Sequence, residues 1–355
     1  MIDLEHLRDA NGLYPVDIAR IIANANPGKR DVLLQVGTMV VPYTQYLDAK
    51  DWLDDVLQEA GTGLEGTAGL FYGISGVGKS TILREFVAEH GQPLQTAEGI
   101  KRAVIRVSTP ANPNLVNVYK AMVRALGAAQ SMSNDVDDLR SVILTQLTGQ
   151  DVQMVIFDEF THIVEDRSDR SALKVVRALK ELLSEKLCQV VFAGTEALES
   201  LHWLYGQFER RSAGDFPLYP FDWETEEEEW IKVMGKIQAK LPLKCVSPLS
   251  SPEMAKKMHL ATNGIMDYVM KLLFRATSFA FDDGVDRITD ENMALAFERL
   301  RRGNRNKVNP FGTPKRRDRE STVKRPEETI ETPAMNAGLT NLRASGKRPK
   351  PDFSK

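Results

Sequence analysis

An α/β fold is what this 355-residue sequence predicts: a mostly parallel sheet between helices, followed by a small all-helical domain. Two observations carry that expectation. Between residues 63 and 222, short apolar or β-branched runs alternate with helix-period segments, the pattern of a parallel sheet covered on both faces. From residue 223 onward the strand signals stop and one helix pattern follows another.

The lead-in, residues 1–62, holds an apolar stretch over Val32–Val41 and a helix expected over Leu47–Ala60, ended by Gly61. The five strand runs are Gly69–Tyr72, Ala103–Ser108, Val152–Phe157, Gln189–Ala193 and Phe216–Tyr219. Among the helices between them, Asn114–Leu126 lines up Leu115, Val118, Met122, Val123 and Leu126 on one face. The helical domain spans 223–302, with opening signals at Ser251-Pro252-Glu253 and Thr289-Asp290-Glu291. From Gly303 to Lys355 the chain is rich in Lys, Arg, Pro and Thr and poor in large apolar residues, which predicts a basic, disordered tail.

With 42% apolar and 27% charged residues the chain can build an ordinary core, and its net charge of −3 gives no global attraction to nucleic acid. The two cysteines, Cys188 and Cys245, lack companions at metal-ligand spacing and read as structural thiols. The start, MIDLEHLRD, lacks the basic flank and apolar run of a signal peptide, and no apolar run reaches membrane-spanning length. A cytoplasmic protein without membrane contact is expected.

The chemistry begins at Gly73-Ile74-Ser75-Gly76-Val77-Gly78-Lys79-Ser80-Thr81, which fits G-x-x-x-x-G-K-[ST]. The glycines let backbone N–H groups turn inward around a phosphate, and the following helix aims its positive end at the same anion. Lys79 then reaches the β- and γ-oxygens of ATP, and the Ser80 hydroxyl ligates Mg2+. About eighty residues on, an apolar run ends in Asp158-Glu159: Asp158 is placed to hold the Mg2+ shell, and Glu159 to polarise the attacking water. A double carboxylate points to hydrolysis, and N-K-x-D, the guanine-reading pattern, is absent. His162 lies one helical turn beyond Glu159, as a functional neighbour or an ordinary structural histidine. Thr195, at the tip of Gln189–Ala193, reads either as a γ-phosphate sensor or as a helix N-cap. Two adjacent arginines, Arg210 and Arg211, suit a finger supplied in trans to a neighbouring subunit, with Arg210 favoured.

The segments GISGVGKST, VIFDE, VVFAGTEAL and QFERR, then Ala261-Thr262-Asn263-Gly264 and Asp286-Arg287-Ile288-Thr289, together resemble the AAA+ transposition ATPases of the TniB/TnsC type. These are relatives of MuB and, more distantly, of Orc/Cdc6 initiators; the resemblance spans about residues 40–300. It implies an AAA+ P-loop core with a parallel five-stranded sheet, a small all-α lid, and ATP bound at subunit interfaces. It further implies rings or helical filaments on duplex DNA that join a target-site selector to transposase subunits and are taken apart by hydrolysis. Carried over by motif, the nucleotide roles fall on Lys79, Ser80, Asp158, Glu159, Thr195 and Arg210, and the DNA contacts on loops holding Thr109, Asn114, Lys120, Ser131 and Ser133. One departure is plain: Gly264-Ile265-Met266-Asp267 has no second-sensor arginine, leaving Lys271 or Arg275 as substitutes. The lead-in around Val40–Tyr43 is the expected adenine wall. The tail's Lys315-Arg316-Arg317 and Lys347-Arg348 clusters suit partner docking, DNA, or simply keeping the tail solvated. Two other classes compete: a secretion-type ATPase gating protein partners, which usually carries a membrane span, and a replication-initiator-like ATPase, which usually adds a winged helix.

Overall fold

The computed structural model describes residues 26–60, 67–128, 133–165, 169–186, 188–201, 212–301 and 308–313. Helix α1 (Pro27–Gly37) starts where Pro27 fixes the first turn and the Asn26 side chain accepts the Lys29 N–H at 2.9 Å. Helix α2 (Thr44–Gln58) buries Tyr46, Ala49, Leu53 and Val56, one stripe at helical spacing. Then come β1 (Ala68–Tyr72), α3 (Lys79–His90), the hairpin β2 (Leu94–Thr96) and β3 (Gly99–Lys101), β4 (Val104–Ser108), α4 (Leu115–Ala125) and α5 (Val136–Gly149). They are followed by β5 (Met154–Asp158), α6 (Thr161–Glu165), α7 (Asp169–Lys186), β6 (Gln189–Gly194), a 3-10 turn (Glu196–Glu199) and β7 (Ser212–Pro217). The C-terminal region is helical: α8 (Trp223–Lys240), α9 (Pro252–Thr262), α10 (Met266–Asp282) and α11 (Asp290–Leu300), with a two-residue parallel bridge between β8 (Lys244–Cys245) and β9 (Arg287–Ile288).

The five-stranded sheet is parallel, in the order β4-β5-β6-β1-β7. Side chains alternate across it. Phe71, Val104, Met154, Ile156 and Val191 face α2, α3 and the C-terminal helices, whereas Leu70, Ile105, Val107, Val155 and Phe157 face α4, α5 and α7. Near-continuous apolar runs are what a sheet buried on both faces needs. The last strand begins at Ser212, four residues before the expected Phe216, because pairing with β1 recruits a Ser-Ala-Gly-Asp stretch that has little strand preference of its own. Gly214, at φ +82°, sits where the register of that pairing shifts. The hairpin β2–β3 and the bridge β8–β9 carry no strand-like pattern in the sequence, and α1 was expected only as an apolar stretch. Both predicted helix openings hold: Ser251 accepts the Met254 N–H at 3.3 Å, and Thr289 forms a capping box with Asn292. Among the described residues no helix is long and apolar enough to cross a membrane.

The sheet and the C-terminal helices meet through backbone. Phe221 N–H donates to Gly264 O at 3.1 Å, and a ring nitrogen of His259 lies 2.8 Å from Phe221 O. Gly264 has φ +69°, and a Cβ there would stand 2.1 Å from Phe221 O. Gly264→Ala is therefore expected to cost roughly 3 kcal/mol, adding left-handed strain to a clash with backbone that cannot rotate away. A denaturant melt checks this; a loss under about 0.5 kcal/mol would show that the junction gives way freely.

Candidate functional site

Three strand ends converge at one edge of the sheet, the position where parallel α/β sheets place ligands. The loop after β1 is shaped by Gly76 (φ +87°) and Gly78 (φ +119°), and Gly78 stands at the N-cap of α3, so the first-turn N–H groups of that helix open onto the loop. Its backbone is braced from outside. The Tyr43 hydroxyl donates to Val77 O at 3.3 Å, Gly73 N–H to Gly194 O at 3.3 Å, and Asp267 N–H, from the first turn of α10, to Gly76 O at 3.0 Å. Lys79 is 8% exposed and its Nζ donates to Gly73 O and Ile74 O at 2.7 and 2.9 Å. Burial lowers the Lys79 pKa, opposed by the nearby Asp158 and Glu196 carboxylates.

Strand β5 ends on Asp158, which is buried, whereas Glu159 is exposed and turns the chain at φ +59°. That left-handed conformation is uncommon for a glutamate. Asp158 Oδ1 accepts the Glu159 N–H at 2.9 Å, and Oδ2 lies 3.4 Å from Arg106 Nε on the neighbouring strand β4. Strand β6, between β1 and β5, ends on Gly194, and Thr195 follows it. Thr195 N–H donates to Thr161 Oγ1 at 2.6 Å, and a Cβ on Gly194 would lie 2.2 Å from that same oxygen. The Thr195 side chain accepts the Ala197 N–H at 3.4 Å, so this residue caps the 3-10 turn and also lines the cavity.

The cavity is about 1070 Å³. Ser75, Gly76, Gly78, Lys79, Ser80 and Thr81 form its floor; Asp158, Glu159, His162 and Thr195 close one end. Val40, Val41, Tyr43 and, from α10, Met266, Met270 and Phe274 also line the cavity, adding apolar lining to the polar set. Lys271 and Arg275 also line it, and Lys271 Nζ is held by Asp267 Oδ2 at 2.7 Å. Val77 is buried beneath the loop. The donor set suits Mg2+: a serine hydroxyl and a carboxylate are hard oxygen ligands on one wall, beside a loop whose positive φ angles leave room for phosphate.

The residues expected on DNA-facing loops are spread more widely. Asn114 is exposed and N-caps α4 by accepting the Asn117 N–H at 2.8 Å. Lys120 Nζ donates to Asn134 Oδ1 at 2.6 Å, and the Ser133 hydroxyl to Asp138 Oδ2 at 2.9 Å. Thr109 corrects the expectation. It is 4% exposed, with its N–H on Asp158 O at 2.9 Å, so it lies under the sheet edge rather than on an exposed loop. Asp135, Asp137 and Asp138 open α5 beside Ser133, a local charge that opposes phosphate. Ser131, Arg210, Arg211 and most of the tail lie outside the described residues; residues 308–313 correct the expectation of a disordered tail from Gly303, because Asn309 Nδ2 donates to Ala294 O at 3.0 Å and Phe311 packs against the core. Sequence reasoning passed over Arg106, Thr161 and Asp267; each acts through a residue distant in the chain, and no local pattern marks them.

Residues 37–213, about half of the chain and the stretch that holds strands β1, β4, β5 and β6 of the sheet, match the family described as Bacterial TniB protein. A comparison with curated proteins finds no match. Among solved structures, the Aeropyrum pernix ORC1 protein in complex with DNA is 16% identical, with 76% of this chain and 69% of that one covered, at a TM-score of 0.54. Cdc6p from Pyrobaculum aerophilum is 14% identical over 74% and 69%, at 0.53. The Aeropyrum pernix ORC2 protein in its ADPNP-ADP complexes is 17% identical over 72% and 66%, at 0.51. This chain thus spans about two thirds of the length of those proteins, and at such identity the likeness is one of fold. Family match and fold agree: the chain belongs to the TniB family, with the fold of the ORC and Cdc6 proteins above.

Proposed function

We propose that this chain is an ATP-dependent, DNA-binding transposition regulator. It assembles on duplex DNA as a ring or helical filament, links a target-site selector to transposase subunits, and comes apart when ATP is hydrolysed. The observation that carries this reading is that both parts line one cavity. The loop after β1 and helix α10 both contribute to it, and Asp267 N–H ties one to the other at Gly76 O. A ligand held between them has a direct grip on how the two parts sit, which is what a nucleotide-controlled assembly needs. TniB membership supplies the transposition context, and DNA in the complex of the Aeropyrum pernix ORC1 protein supports duplex as the partner.

In this reading residues 63–222 are the ATPase core, 223–302 the lid, and 303–355 a docking arm for the transposase subunits. Gly73, Ser75, Gly76, Val77, Gly78 and Thr81 cradle the phosphates, and Lys79 turns from its loop carbonyls to the β- and γ-oxygens. Ser80 and Asp158 hold Mg2+, which when bound offsets phosphate charge. Glu159 takes the proton from the attacking water, Thr195 touches the γ-phosphate, and Arg210, or Arg211, completes the site of the neighbouring subunit. Asn114, Lys120, Ser131 and Ser133 contact DNA mainly through neutral groups, so positioning on the backbone outweighs charge.

The test is ATP turnover with and without duplex DNA, joined to electron microscopy in a non-hydrolysable analogue. Stimulation by duplex and analogue-dependent filaments are expected. Flat activity with no filaments would leave an ATPase that gates protein partners without DNA.

A further inference from the structure

Between α3 and the sheet lies a face that is otherwise apolar: Phe71, Ile82, Leu83, Phe86, Val104 and Ile156. Two arginines interrupt it beside Asp158. Arg106 stands on β4 opposite Ile156, so its side chain shares the sheet face of Asp158, two residues on. Its Nε lies 3.4 Å from Asp158 Oδ2, with the Asp158 side chain only 5% exposed. Arg84, from α3, brings a second guanidinium to the same place; its Nε is buried without a hydrogen-bond partner. Burial first, then the like charge of Arg106, lowers the Arg84 pKa. Lys79 is the third cation near Asp158. The remaining carboxylate oxygen, Oδ1, is taken by the Glu159 N–H. Both oxygens of the expected metal ligand are thus engaged by the protein, and three cations surround it.

A lone carboxylate in such company is a poor site for a free divalent cation, because every added positive charge is repelled at short range. A bound di- or triphosphate changes the balance: its negative charge offsets that of the three cations and draws Lys79 toward itself. Arg106 differs from Lys79 and Arg84 in being paired with the carboxylate itself. We propose that Arg106 is a positioning residue that holds Asp158 in place and keeps divalent cations off it until a nucleoside triphosphate or diphosphate is bound. This rests on the reading above that Asp158 and Ser80 are the metal ligands. The consequence is ordered loading: the nucleotide brings the metal, and the empty site stays free of it.

The experiment uses the full chain, with Mn2+ as the probe read by electron paramagnetic resonance, with and without ADP. In the parent, Mn2+ is expected to bind tightly only with ADP. Arg106→Met keeps the bulk of the side chain and removes the charge; it should bind Mn2+ without nucleotide on the order of tenfold more tightly than the parent. Adding Asp158→Asn should remove that gain, and Arg106→Lys, which keeps the cation, should retain the parent's weak binding. If Arg106→Met does not fold, Arg106→Gln, a neutral donor, makes the same comparison. Nucleotide-free affinity in the neutral variant within about twofold of the parent overturns the proposal. If instead Asp158→Asn alone leaves Mn2+–ADP binding unchanged, Asp158 is no ligand, and the assignment falls together with the inference built on it.

Discussion

Lys79→Ala should bind ATP at least about a hundredfold more weakly than the parent while remaining folded. The side chain is buried at 8% exposure, and its ammonium now rests on Gly73 O and Ile74 O. Both acceptors belong to the phosphate loop, so the amine is parked beside the place where an anion would sit. Charge-assisted hydrogen bonds to phosphate are worth about 1.5–3 kcal/mol each. Losing two removes about 3 kcal/mol or more, which is about two decades in affinity. The folded state loses less. Gly73 O is buried and Ile74 half-buried, so losing their donor is expected to cost about 1–2 kcal/mol in a melt. Titration with a fluorescent ATP analogue, alongside the melt, separates binding from folding. Affinity within about threefold of the parent would mean that backbone amides alone hold the phosphates, and Lys79 would lose its assigned part.

How much of this was readable beforehand depends on distance along the chain. The phosphate loop was legible because its requirements are local: Gly76 and Gly78 take positive φ, and Lys79 and Ser80 follow at once on the helix. Asp158-Glu159 was legible because an apolar run ending in acid marks a strand tip. Four of the five strands were found near their true limits, since parallel strands buried on both faces announce themselves as apolar runs. The fifth was misplaced because Ser212–Asp215 are strand only through their neighbour β1, and propensity cannot see a neighbour. The same limit hid Arg106 beside Asp158, fifty-two residues away, Thr161 under Thr195, and Asp267 on Gly76. Nothing in a window of a dozen residues distinguishes an arginine that braces a carboxylate from one that snorkels off an edge strand. Thr109 erred in the other direction: the family resemblance put it on a DNA-facing loop, yet its backbone bond to Asp158 O pins it inside.

Glu159→Gln should bind ATP as the parent does, hydrolyse it about a hundredfold to ten-thousandfold more slowly, and hold the DNA-bound assembly together. The substitution leaves side-chain length unchanged, and the Glu159 N–H bond to Asp158 Oδ1 is a backbone contact that survives it. What goes is the proton acceptor, and with it the step that ends the ATP-bound state. Single-turnover hydrolysis and the lifetime of DNA complexes after removal of free ATP are the two readouts. Release as fast as in the parent, with hydrolysis still slow, would cut the link between turnover and disassembly. A Gln variant with near-parental turnover would move the base elsewhere. Glu159→Gly sharpens the case. At φ +59° a glycine is at ease where glutamate is strained, so that variant should melt as though stabilised by about 1 kcal/mol relative to Gln, yet be equally inactive. Strain kept at a position whose relief removes function belongs to a residue held there for its carboxylate; if glycine restored turnover, the turn and not the acid would be what the site requires.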